Sequence, residues 1–250
     1  MNVSQFYEHF NSLYPEHLRC EWDNDGIMCC SESEKDVRRV LITLDITEAA
    51  ADYGVKNGFD VIISHHPMIF KPLKSVTSSK IISLIMRGIV AMSFHTRLDK
   101  ADGGVNDCLA EVLGLCDCRP FGEDGLGRIG VLSESVSANE LASLVADKLG
   151  APSVSMVDGE KPCRTVALVG GAGKDYVCDA VKGGADAYIT GEVSYNTYTD
   201  VLGTGLTLIT AGHYYTEQPV CFELQKQIKL LDESIYTEIF DSNPVVEIKK

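Results

Sequence analysis

The sequence predicts an α/β protein made of two related α/β domains with mixed or parallel sheets and a metal site between them. Residues 37–66 and 164–192 share one pattern, in which a strand leads through a helix and a glycine break to a second strand. About 30 residues is the usual length of a βαβ unit. Apolar runs such as Val61 to Ile63 are typical of strands buried in a parallel sheet.

Two interpretations of this internal likeness are open. Either the two segments are structural counterparts whose strand ends converge on one site, or βαβ units resemble one another for physical reasons alone. The first interpretation places Glu192, which ends the second segment, at the site.

A histidine doublet, His65-His66, ends the first of these apolar strands, and Pro67 then stops the strand. In open α/β sheets, ligands gather at the carboxyl ends of such strands. Adjacent strand residues face opposite ways, but at a frayed strand end both imidazoles can turn toward one partner. The alternative is one core histidine beside one surface histidine. The doublet, taken with the acids that follow later in the chain, favours metal ligation.

Two further strand ends carry matching groups. His95-Thr-Arg-Leu-Asp99 follows the apolar run 89–94, and Gly212-His-Tyr-Tyr-Thr-Glu217 follows the run 206–210. Imidazole and carboxylate ligands suit zinc, iron, manganese, cobalt or nickel, whereas calcium and magnesium prefer oxygen ligands. A single catalytic zinc takes about three protein ligands, so this larger set of donors predicts two ions.

Five segments together resemble the Nif-three-like dinuclear-metal family, whose members are labelled GTP cyclohydrolase I type 2 homologues. The resemblance runs nearly end to end and implies two divalent ions per chain, a ring-shaped homohexamer and a short form without an inserted domain. It implies five metal ligands, with Glu217 as the bridge: His65, His66, Asp99, His213 and Glu217. His95 is then expected to support these ligands or to transfer protons, and not to bind the metal itself. The segments that carry it are Trp22-Asp-Asn-Asp-Gly26, Leu41-Ile-Thr-Leu-Asp-Ile-Thr47, Ser64-His-His-Pro-Met-Ile-Phe-Lys-Pro-Leu73, His95-Thr-Arg-Leu-Asp99 and Gly212-His-Tyr-Tyr-Thr-Glu217.

The chain departs from the family pattern at two positions. Asn196 stands where many relatives have a histidine, so a proton-transfer role at that position is in doubt. Asp25 stands where relatives tend to carry an apolar residue, and the sequence offers no account of this extra acid.

The motif Gly212 to Glu217 must lie next to the histidine doublet if both bind the same metals. The chain is therefore expected to return to its first domain near residue 200. The turn-rich segment 120–127 is predicted to be a linker. Ser137 and Glu140 form a capping box that opens a helix after it. We therefore expect a metal-binding domain over residues 1–124 plus 200–250 and a second domain over 125–199.

Composition and charge indicate which partners and which cell compartment to expect. A net charge of −14 argues against nucleic acid, which requires a basic surface. No apolar run reaches the roughly 18–20 residues that a membrane span needs, and no secretory signal is visible. The nine cysteines include no C-x-x-C pair, as expected of reduced thiols in a cytoplasmic protein.

Gly170-Gly-Ala-Gly173 follows a predicted strand and precedes a helix, which is the setting of an anion-binding loop. It lacks the Lys-Ser/Thr ending of a Walker loop, and it does not contain a full dinucleotide-binding fingerprint. A tight strand-to-helix turn is the favoured explanation.

The leading functional hypothesis is a metal-dependent hydrolase of a small nucleotide-like or cyclic-amide substrate, with His95 or Glu192 moving protons. The alternative is a non-enzymatic metal or metallo-cofactor handling or regulatory protein. The residues alone do not decide whether the protein is an enzyme.

Overall fold

The computed structural model describes residues 1–245, and residues 246–250 of the predicted first domain lie outside the described residues. The chain forms two compact units, residues 1–101 with 221–245 and residues 102–220. Each unit contains helices and one sheet with parallel and antiparallel pairs, so the predicted class of two mixed α/β units is confirmed.

The first unit has a five-stranded sheet. Its elements are α1 (Val3–Leu13), β1 (Gly26–Cys29), β2 (Arg39–Thr43), α2 (Glu48–Lys56), β3 (Val61–Ser64), α3 (Ser79–Met86), β4 (Val90–Ser93), α4 (Thr96–Lys100), most of α10 (Pro219–Leu231) and β11 (Tyr236–Ile239). The strand order is β1-β4-β3-β2-β11, in which β1 is antiparallel to β4 and the other neighbours are parallel. Leu41, Ile62 and Ala91 lie fully buried on the central strands, as their apolar runs predict.

The second unit has a six-stranded sheet. Its elements are α5 (Val105–Leu113), β5 (Cys116–Phe121), β6 (Gly127–Val136), α6 (Ala138–Leu149), β7 (Ser155–Val157), β8 (Cys163–Ala172), α7 (Val177–Lys182), β9 (Ala187–Glu192), α8 (Tyr195–Asp200), β10 (Thr207–Thr210) and α9 (His213–Glu217). The order is β5-β6-β8-β9-β10-β7, with β8, β9 and β10 parallel. The predicted capping box of Ser137 and Glu140 opens α6.

Among the described residues, no helix is both long and apolar enough to cross a bilayer.

The division between the units differs from the one expected near residues 125 and 200. β5 pairs antiparallel with β6, so the turn-rich segment 120–127 belongs to a hairpin connection and is not a linker. β10 pairs with β9, which keeps it in the second sheet. Backbone pairing decides where these strands belong, and turn composition does not record it.

The two βαβ units, β2-α2-β3 and β8-α7-β9, fold as local counterparts. Asp60 accepts two backbone N–H groups near the start of β2, both at 3.0 Å. Asp186 accepts two near the start of β8, at 3.1 and 2.9 Å. A lysine pairs with each acid, Lys35 at 3.0 Å and Lys161 at 3.1 Å. Such shared side-chain contacts exceed what two generic βαβ units need, which favours the interpretation as structural counterparts.

Replacing Asp186 with alanine is expected to lower the free energy of unfolding at pH 7 by about 1–3 kcal/mol, because two N–H groups lose a charged acceptor. Burial raises the pKa of Asp186, but the N–H groups of Thr165 and Arg164 and the Lys161 ammonium outweigh it, so the pKa lies below its ordinary value. With a lowered folded-state pKa, the stabilisation is complete above the unfolded-state pKa of ~4 and is lost as the pH falls through the folded-state pKa.

Urea unfolding of the unaltered protein and of Asp186→Ala, at a series of pH values, measures the difference in their free energies of unfolding. This difference should shrink toward acid pH, and a constant difference would contradict the role assigned to the Asp186 carboxylate. The exposed Asp175 provides the control, since Asp175→Ala should change stability by no more than ~0.5 kcal/mol.

Candidate metal centre

Three histidines meet at the carboxyl ends of β3 and β4 in the first unit. His65 and His66 directly follow β3, and His95 lies between β4 and α4. The N–H of His66 donates to the carbonyl of Leu44 at 2.9 Å, so the doublet continues alongside the end of β2. One ligand nitrogen from each imidazole lies within 4.8 Å of the other two, and this group could hold a metal ion.

An oxygen acceptor faces Nδ1 of both residues in the doublet. Nδ1 of His65 lies 3.0 Å from the carbonyl oxygen of Phe94, and Nδ1 of His66 lies 3.0 Å from Oδ1 of Asp45. A carbonyl only accepts, so Nδ1 of His65 carries the proton and the neutral ring presents a lone pair at Nε2. The Asp45 carboxylate selects the same tautomer of His66. Metal-binding histidines usually donate their second ring N–H in this way.

Asp23 orients His95. Its Oδ1 lies 2.8 Å from Nδ1 of His95, and its Oδ2 accepts the N–H and the hydroxyl of Thr96 at 3.0 and 2.7 Å. Burial raises the pKa of Asp23, but the bonds from His95 and Thr96 outweigh it and hold the pKa well below its ordinary value. Asp23 therefore stays ionised, and its Oδ1 accepts the proton on Nδ1 of His95.

Asp99, in the first turn of α4, lies against the doublet. Its Oδ1 is 3.6 Å from Nε2 of His65, a side chain that is almost fully buried. Its N–H donates to the carbonyl of His95 at 3.1 Å, so the start of α4 fixes the acid and the histidine together. The structure thus brings Asp99, predicted as a ligand, to the Nε2 atom that His65 presents.

A buried ion pair anchors α4. Arg97 is fully buried, and its Nε donates to Oδ2 of Asp25 at 3.0 Å. Its Nη1 donates to Oδ1 of Asn11 and to the carbonyl of Tyr14, at 2.7 and 3.0 Å. Asp25 also accepts the N–H of His95 at 3.2 Å. The extra acid in the first motif therefore balances a buried guanidinium and holds the backbone at His95.

The second unit contains two potential metal ligands that lie close together. His213 and Glu217 lie one turn apart on α9, with Nε2 of His213 3.1 Å from Oε1 of Glu217. Nδ1 of His213 lies 3.1 Å from Oε1 of Glu192, the last residue of β9. His213 thus has a carboxylate oxygen at each ring nitrogen, that of Glu192 at Nδ1 and that of Glu217 at Nε2. Glu217 is buried, with 4% of its surface exposed.

Glycines in β8 make room for Glu217. Gly171 has a φ of +64°, and a Cβ there would lie 2.2 Å from Oε1 of Glu217. The N–H groups of Gly170 and Gly171 donate to the side chains of Asn106 and Thr216, at 2.8 and 3.0 Å. These amides serve the protein itself, so close packing explains the glycines and the anion-loop alternative is not needed.

The structure places the predicted site residues and adds others beside them. Glu192, predicted to move protons, lies against His213, with its Oε1 3.1 Å from Nδ1. Asn196, at the position of the family histidine, is exposed on α8. Asp23 and Asp45 were not predicted as site residues. Their signal in the sequence is weak, because each is one acid in a loop far along the chain from its histidine.

Comparison with known proteins confirms the family resemblance. The sequence model of Duf34/NIF3 (NGG1p interacting factor 3) matches residues 1–244. A Clostridium perfringens protein named GTP cyclohydrolase 1 type 2 homolog is 32% identical over 241 residues, which cover 92% of each chain. A Streptococcus pneumoniae protein of the same name is 32% identical over 228 residues, which cover 86% of this chain and 85% of that protein. A solved Bacillus cereus protein related to NIF3 has the same fold, with a TM-score of 0.88 at 24% identity over 99% of both chains.

Asp25→Val is expected to lower the free energy of unfolding by about 3–5 kcal/mol, because the guanidinium of Arg97 stays buried without its carboxylate. The double variant Asp25→Val/Arg97→Met removes both charges and should regain part of this loss. Urea unfolding of the two single variants and the double variant measures the coupling free energy. Additive losses would show that the pair is not coupled.

Gly171→Ala is expected to displace the Glu217 carboxylate and to weaken zinc binding, because the new Cβ overlaps Oε1 of Glu217. Gly184→Ala is the matched control. Its φ is +72° and a Cβ there meets nothing within 4 Å, so it carries only the backbone strain, about 1–2 kcal/mol. Calorimetric titration with zinc measures the zinc affinity of both variants. Equal zinc affinity in both would contradict the packing role of Gly171.

Proposed function

We propose that this chain, which belongs to the Duf34/NIF3 family, is a metal-dependent hydrolase that uses two divalent ions. One observation carries the proposal: four histidines each have Nδ1 against an oxygen acceptor, at 2.8–3.1 Å. For His65, His66 and His95 this acceptor favours the tautomer whose Nε2 can bind a metal, and Nε2 of His213 faces the carboxylate of Glu217. The proposed ligands are His65, His66, Asp99, His213 and Glu217.

The chemistry of these donors fits divalent transition metals. Imidazole nitrogen and carboxylate oxygen together suit zinc, iron, manganese, cobalt or nickel. Five donors exceed what one catalytic zinc requires, and this excess supports two ions with Glu217 as a shared ligand. Glu192 and Asp45 then act by orienting their histidines, which raises the basicity of the ring nitrogen that binds metal.

Bound divalent ions would supply a water of lowered pKa and would polarise a substrate carbonyl or phosphoryl group. The chain itself supplies proton transfer. Asp23 fixes the proton of His95 on Nδ1, which leaves Nε2 to accept a proton and later to return it. His95 also lies beside His65 and His66, with a ring nitrogen within 4.8 Å of a ring nitrogen of each, so its ring is close to the proposed ligands.

We propose a small nucleotide-like or cyclic-amide substrate. Support comes from the name of the relatives, GTP cyclohydrolase 1 type 2 homolog, which is said of those proteins. The net charge of −14 favours a small molecule over nucleic acid. The family resemblance also supports a homohexamer, and the scattered cysteines support a cytoplasmic location.

Purified tag-free protein is expected to contain about two divalent ions per chain. His65→Ala and Glu217→Ala should each lose bound metal and any hydrolysis of GTP or simple phosphoesters, because each removes a ligand. His17→Ala is the control, since it removes an exposed imidazole outside the proposed ligand set. Plasma mass spectrometry and product chromatography on the same samples measure both properties.

The outcomes separate the two functions considered from the sequence. Metal with turnover, both lost in the two ligand variants, supports the hydrolase. Metal without turnover on any substrate would indicate metal or metallo-cofactor handling instead. No bound metal after reconstitution would overturn the proposal, as would equal metal loss in His17→Ala.

A further inference from the structure

Two aromatic side chains, Trp22 and Phe70, meet beside the histidine cluster of the first unit. The ring centroids of Trp22 and Phe70 lie 6.0 Å apart. Each ring also meets His95 edge to face, Trp22 at 6.1 Å and Phe70 at 6.4 Å. The rings of His65 and His66 lie 5.2 and 5.6 Å from that of His95 on the doublet side. His95 therefore connects the aromatic pair to the proposed ligands.

The aromatic pair is exposed, in contrast to most large aromatic side chains in this unit. Trp22 is 63% exposed and Phe70 is 45% exposed, whereas Phe6 and Phe10 are completely buried. Leaving a large apolar ring in water forgoes the free energy of its burial. Two exposed aromatic rings in contact with each other form a contiguous apolar surface, which is the kind of surface that can bind another molecule.

The backbone around both rings is tied down. Trp22 precedes Asp23, whose carboxylate is bonded to His95 and Thr96. Phe70 follows Ile69, whose carbonyl accepts a hydrogen bond from the side chain of Asn24. The two loops are therefore joined to each other and to the start of α4. A surface that is held in place before binding loses less conformational entropy when a ligand binds.

We propose that Trp22 and Phe70 form a stacking surface for a planar heteroaromatic ring, such as a nucleobase, which they hold next to Nε2 of His95. Aromatic side chains bind such rings through their π-faces with little dependence on the base. This inference rests on the proposed function only for what happens to the ring afterwards. Binding of the ring itself requires neither turnover nor bound metal.

Trp22 is the single tryptophan of the chain, so its fluorescence reports on this surface directly. The probe is guanosine, titrated into the full-length protein both with zinc and after chelation. Ribose 5-phosphate, which has no aromatic ring, is the matched probe. Guanosine should quench the emission of Trp22 saturably, with and without zinc, and ribose 5-phosphate should not.

Phe70→Ala should weaken guanosine binding about fivefold or more while the fluorescence of Trp22 remains available as the signal. Phe222→Ala is the matched control, because Phe222 is also an exposed phenylalanine, 57% exposed, and lies on α10. It should bind guanosine as the unaltered protein does. Light scattering of all three proteins shows whether the assembly mass changes.

Three results would overturn the inference: no saturable quenching, equal quenching by ribose 5-phosphate, or equal guanosine affinity in Phe70→Ala. A lower assembly mass in Phe70→Ala, without guanosine binding to the unaltered protein, would assign the rings to an interface between copies and also overturn it. Failure of the proposed hydrolase gives a different result. In that case metal or turnover is absent while guanosine still quenches Trp22.

Discussion

The hydrogen bond at Nδ1 of each site histidine is the interaction on which the rest of the candidate site depends. A neutral imidazole can carry its proton on either nitrogen and can rotate about two side-chain bonds, so an unsupported ring is a poor ligand. Here a main-chain carbonyl holds His65, and Asp45, Asp23 and Glu192 hold the other three rings. The acceptor sets the direction of each ring, and for His65, His66 and His95 it also favours the tautomer with its lone pair on Nε2.

The fold supplies these acceptors through strand order. β3 and β4 are parallel neighbours, so the residues that follow them reach the same edge of the sheet. Phe94, which follows β4, can therefore present its carbonyl to His65, which follows β3. Short helices begin immediately after β4 and β10, and each places an acid within its first or second turn. The buried Arg97 and the close approach at Gly171 secure these two helices in their own units.

The two βαβ units show how one scaffold supports different chemistry. Asp60 and Asp186 perform the same structural task, since each gathers two backbone N–H groups at the start of a strand. The ends of the following strands differ. β3 leads into two histidines, whereas β9 ends in Glu192, which serves a histidine on another element. The shared framework positions a strand end, and the residue type there differs, with two imidazoles after β3 and one carboxylate at the end of β9.

Much of this protein is determined locally by its sequence. Apolar runs mark the central strands, the capping box marks the start of α6, and the histidines and acids that follow the strands identify a metal-binding composition. The order of these motifs also identifies the family. Such features depend on neighbouring residues along the chain, so they can be predicted without knowing the fold.

Only the tertiary structure decided which acid holds which histidine, and where the units divide. Asp23 and His95 are 72 residues apart, and Asp45 and His66 are 21 apart. The extra acid Asp25 became intelligible only beside Arg97. A turn-rich segment proved to connect two paired strands because backbone hydrogen bonding, not turn composition, places β5 next to β6. These features are contacts between distant parts of the chain, and local sequence patterns carry no record of such contacts.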